Sequence, residues 1–163
     1  MVALVLSRLD YGSIVLAGLP KQLLDRFQSV HNAAAHLVFA ARRNDHIIPL
    51  LHSLHWLRVA ERITFRLAVL TYRCLHGSAP EYLISLLQCV SGIHTRQRLH
   101  SASSSDLMVP QTIRSTIGKR SFQSAAASTW NALSHSVRSS TSVLQFRSRL
   151  KTELFARSYQ QSY

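Results

Sequence analysis

The sequence predicts a mainly α protein, a helical array over residues 1–90 followed by a smaller C-terminal helical unit. Three observations point to it. Apolar residues recur at spacings of three and four over 23–41, 59–75 and 143–158, where a strand would alternate them. Pro20, Gly77 and Pro80 stand where helices start and stop. A hydrophobic content of 47% in 163 residues is enough to build a sizeable core.

Residues 3–19 form an apolar segment that reads as a helix ending at Gly18, although Gly12 and Gly18 each cost a helix about 1 kcal/mol relative to Ala. Pro20 suits the first turn of the next helix. Along that helix Leu23, Leu24, Phe27, Val30, Ala34, Leu37, Val38 and Ala41 keep the helical spacing. Arg42 and Arg43 close it with cations where the dipole favours them. Asp45 is placed to cap a short helix through Ile47, Leu50, Leu51 and Leu54, with Pro49 tolerated near its start.

The longest helical signal runs from Val59 to Leu75 and is apolar over most of its circumference. Arg58, Arg62, Arg66 and Arg73 share one stripe on it, about 80° wide. Gly77 ends the helix and Pro80 restarts the chain as a short helix to Val90. Residues 91–105, rich in Ser, His, Arg and Gln, read as a linker. Beyond it, Leu107–Val109 and Thr112–Ile117 read as two short strands or an extended excursion. Phe122–Leu133 resumes as a helix anchored by Trp130, and a loop over Ser139–Ser142 caps the last helix. That helix, from Val143 to about Ser158, aligns Val143, Phe146, Leu150 and Leu154, and Glu153 lies four residues from both Arg149 and Arg157.

Nineteen Lys and Arg against seven Asp and Glu give a net charge of +12, which favours polyanionic partners. The charge is uneven: residues 1–81 hold nine basic and five acidic groups, residues 82–163 ten and two. Two cysteines, Cys74 and Cys89, are too few for a disulfide framework and fit an intracellular, reducing compartment. No apolar run is long enough to span a membrane. The abrupt apolar start, MVALVL, reads as a cut through a larger protein.

The seven carboxylates are scattered, so no two-metal nucleotidyl-transfer site is predicted. No phosphate-binding Gly-rich loop and no Gly-x-Ser-x-Gly turn occurs. His52, His55, Cys74, His76, Cys89 and His94 match no zinc-finger spacing, and no metal or cofactor is expected. Trp56 and Trp130 read as core anchors in preference to base-stacking rings. Arg58, Arg62, Arg66 and Arg73 are the candidate nucleic-acid residues: the stripe is either a solvated face or a phosphate track, and the basic composition tips the balance to the track.

Five segments carry a family likeness: SRLDYGSIVLAGLP at Ser7–Pro20, FQSVHNAAAHLV at Phe27–Val38, DHIIPLLHSLHWLRVAERITFRLAVLTYRCLHGSAPEYL at Asp45–Leu83, LMVPQTIRSTIGKRSFQSAAASTWNALS at Leu107–Ser134, and FRSRLKTELF at Phe146–Phe155. In their order and spacing they resemble the post-palm region of reverse transcriptases of LINE-class, non-LTR retrotransposons. The resemblance implies a thumb-like helical region up to about residue 90, which in such enzymes grips template and primer, followed by a C-terminal tail. The palm motif that holds the catalytic metals is absent, so a noncatalytic fragment is expected, with RNA or DNA backbone as partner. Arg58, Ala127 and Ser134 stand where the family usually has proline, and His31 and His36 replace its usual Gln and Arg, as in a drifting genomic copy. The rival expectation is a helical structural or interaction protein that self-associates through exposed apolar faces, or a relic.

Overall fold

A computed structural model describes residues 7, 11–42, 44–90, 106–111, 118 and 120–160. It is mainly helical, as the periodicity predicts. A 3-10 turn at Ser13–Leu16 precedes α1 (Lys21–Val38), α2 (Ile47–Ser53), α3 (Val59–Leu75), α4 (Glu81–Ile84), α5 (Phe122–Asn131), α6 (His135–Arg138) and α7 (Val143–Gln160).

Helix α3 has the predicted bounds. The helix expected over 3–19 does not run on to Gly18: Ser7 is helical, but Gly12 stands at φ 66°, a short 3-10 turn follows over Ser13–Leu16, and Gly18 stands at φ 74°, while residues 3–6 and 8–10 lie outside the described residues. Both glycines sit in the left-handed region, which an α-helix cannot include. The helix predicted over 80–90 closes after Ile84 and gives way to turns. Pro20 and Pro80 stand one residue ahead of their helices, extended at ψ 144° and 143°, and each carbonyl accepts the first helical bonds. Asp45 does not cap α2. Its Oδ2 accepts from the Arg42 amide at 2.7 Å, and His46 occupies the cap position without a side-chain bond. The predicted linker 91–105 and the second strand segment 112–117 lie outside the described residues. Leu107, in the first strand segment, makes a single antiparallel bridge with Cys89.

Helices α1, α2 and α3 stop in the same way. The residue after the cap turns left-handed, and the next amide reaches back five residues: Ala41 to His36, Trp56 to Leu51, Ser78 to Arg73. The left-handed residues are Ala40 (φ 48°), His55 (φ 53°) and Gly77 (φ 66°), so only the third uses glycine.

The chain forms two compact units by contact. The first joins residues up to Arg66 with those from Ser148 onward. Its core packs Ala34, Ala35, Leu51, Trp56 and Tyr159, flanked by Ile47, Leu50, Leu54 and Phe155. Trp56 is a core anchor here, with the buried His31 ring stacked on it at 4.8 Å. The Gln28 side-chain oxygen accepts from the Val59 amide at 2.8 Å, meeting one of the bonds that the start of α3 leaves unmade.

The second unit is Leu67–Arg147. Phe146, fully buried, stacks on Tyr72 (4.4 Å) and Trp130 (5.9 Å), and the Tyr72 hydroxyl donates to the Ser140 carbonyl. Ala126 and Ala127 are fully buried on α5. Leu107 is buried and held by its backbone: the Asn131 amide group bonds its N–H and its carbonyl at 2.8 and 2.9 Å, while Asp106, its neighbour, pairs with Arg138.

Candidate nucleic-acid interface

The four arginines of the predicted stripe have different surroundings. Arg58, just ahead of α3, is half-buried, with its guanidinium carbon 5.7 Å from the centroid of the Tyr159 ring. Such a cation over an aromatic face is held by the ring quadrupole. Arg62 is also half-buried and lines a cavity of about 10 Å³ with Ser13, Leu16, Phe27, Val59 and Ile63. That space fits a single water and excludes an organic ligand. Arg66 is exposed in the first unit, and Arg73 is exposed in the second. On the face beside the stripe, Val59, Ile63, Leu67 and Cys74 are buried, and Thr71 donates its hydroxyl proton to the Leu67 carbonyl at 2.8 Å. Burial also pushes the Cys74 thiol pKa up.

Further exposed cations lie on α7. Arg149, Lys151 and Arg157 belong to the first unit, with Arg157 paired to Glu153 at 3.1 Å, and Arg147 belongs to the second. On α1, Lys21 and Arg26 are exposed.

One grouping was not legible in the sequence. His52 and His55, at the end of α2, meet Phe155 and Tyr159 of α7. The Phe155 and Tyr159 rings lie 4.7 Å apart, and the Tyr159 hydroxyl donates to the Trp56 carbonyl. Burial raises the Tyr159 pKa to about 12, with Arg58 pulling it down and Glu61 adding to the rise. The visible signals are His52 and His55 three apart and Phe155 and Tyr159 four apart; nothing in either spacing says that the two pairs touch.

Among the described residues no three His, Cys, Asp or Glu side chains converge as a metal site, and no helix is long and apolar enough to cross a membrane. Comparisons of the chain with family models, with curated proteins and with solved structures find no match.

Proposed function

We propose that this chain is a noncatalytic, thumb-and-tail-like piece of a non-LTR retrotransposon reverse transcriptase that holds RNA or DNA through backbone phosphates inside the cell. The ordered family-like segments motivate the first half of that reading. The observation that carries the second is that Arg66 in one unit and Arg73 in the other are exposed residues, in a chain of net charge +12. Guanidinium groups bond phosphate oxygens in pairs and gain further from counterion release. Arg58 and Arg62, half-covered by protein, contribute field more than direct contact.

The test is binding of a labelled RNA–DNA primer-template by fluorescence anisotropy across salt. About six phosphate contacts give a log–log slope near −5. Arg66→Glu and Arg73→Glu each weaken binding on every sequence and flatten the slope by about one. Absence of binding at low salt overturns the reading.

A second reading, an interaction protein, has an observation of its own. One edge of α1 leaves Val30 56% and Leu37 71% exposed, with Leu23, Phe27 and Val38 beside them. Contiguous apolar surface of this kind marks association sites. Light scattering decides: self-association that Leu37→Lys abolishes favours it, and a clean monomer rejects it.

A further inference from the structure

We infer that His52, His55 and Phe155 form a stacking platform for the bases of single-stranded nucleic acid. This rests on the proposed nucleic-acid function and gives it a second kind of contact, to bases as well as phosphates. The His55 ring lies on Phe155 with centroids 5.8 Å apart and planes 20° from parallel. His52 meets Phe155 at 5.0 Å and stands nearly perpendicular to the Tyr159 ring at 5.5 Å. The inner end of this cluster is fixed, because Tyr159 is buried and bonded to Trp56. Its outer members, both histidines, are exposed. The cluster is therefore one near-parallel pair, His55 on Phe155, braced by the tilted rings of His52 and Tyr159, anchored within and open to solvent at its histidines.

The platform is also held in place before any ligand arrives. His55 is the left-handed residue that ends α2; its amide donates to the His52 carbonyl at 2.9 Å, and its Nδ1 lies 3.3 Å from the Ser53 carbonyl. A ring fixed in this way loses little freedom when a base stacks on it. Leu51, Leu54 and Phe155 already share the core of the first unit, and the imidazoles of His52 and His55 stand outside that core at exposed positions. Rings of this kind accept any base, because every base has a π-face. Lys151, exposed one turn before Phe155 on α7, supplies charge for the adjoining phosphates.

The experiment uses the full chain and two labelled strands of equal length and charge, one oligothymidylate and one abasic. The thymidylate binds about tenfold more tightly at the same salt, the increment expected of a stacked base. His52→Ala combined with His55→Asn removes that preference while leaving the abasic affinity and the salt slope unchanged; Asn is chosen because it tolerates the left-handed backbone. His52→Phe with His55 intact retains the preference. Far-UV circular dichroism checks that the double variant stays helical, and the wild-type comparison stands without it. Equal binding of both strands by the wild-type chain, or a preference that survives in the folded double variant, overturns the platform and leaves the phosphate reading standing. Failure of both strands to bind overturns the two together.

Discussion

The Tyr159 hydroxyl donates to the backbone carbonyl of Trp56, a residue 103 positions earlier in the chain. The bond ties the end of α7 to the turn after α2, and it is buried at both ends. A buried carbonyl that loses its donor keeps its desolvation cost with nothing to offset it.

Tyr159→Phe therefore destabilises the chain by about 1–3 kcal/mol, although the ring and its contacts with Phe155, His52 and Arg58 remain. Urea unfolding reads this as a lower midpoint at an unchanged slope.

Alkaline pH acts on the same bond. The Tyr159 pKa rises to about 12 in the folded chain, chiefly through burial, against about 10 when unfolded. Above the unfolded value the unfolded chain holds fewer protons than the folded one, so stability falls as pH rises. The contribution is fully present below pH 10 and is lost between about 10 and 12. Unfolding midpoints measured across that window fall more steeply for the wild-type chain than for Tyr159→Phe.

Asn131 makes two bonds to one residue, accepting from the Leu107 amide and donating to the Leu107 carbonyl. Asn131→Ala leaves both backbone groups unmatched and costs about 2 kcal/mol. Asn131→Asp keeps the acceptor for the Leu107 amide but sets a second carboxylate oxygen against the Leu107 carbonyl, so it costs no less. Hydrogen exchange at the Leu107 amide accelerates in the alanine variant.

Ala40 is exposed and left-handed at φ 48°, a region in which a β-carbon is strained by about 1–2 kcal/mol. Ala40→Gly removes the strain but frees the unfolded backbone, for a net gain of about 0.5–1 kcal/mol, seen as a higher thermal midpoint. The same exchange at His55 gains less, because it also deletes a ring packed on Phe155.

Legibility in the sequence followed the punctuation. Helix α3 could be read end to end because Gly77 marks its stop with the one residue that adopts positive φ without cost. The stops of α1 and α2 use Ala40 and His55, which carry no such mark. At α2 the turn coincides with the burial of Leu51 and Trp56 in one core, a tertiary cause that no local pattern shows. The face Phe146, Leu150 and Leu154 was legible for the opposite reason: all three are buried at the helical spacing that predicted them. The arginine stripe could be read as a row, but the cover over Arg58 and Arg62 comes from Tyr159 and from the Ser13 and Phe27 segments, remote in sequence. For the same reason the histidine–phenylalanine platform had no sequence signature.

The bridge between Cys89 and Leu107 has an entropic consequence. The Val90 amide bonds the Asp106 carbonyl and the Met108 amide bonds the Gln88 carbonyl, so the chain leaves Val90 and re-enters at Asp106 at one point. Closing a longer connection between two fixed ends costs only about 0.6 kcal/mol for each doubling of its length. The two bonds of the bridge therefore clasp Val90 to Asp106 at a cost that depends only weakly on the length of chain between them.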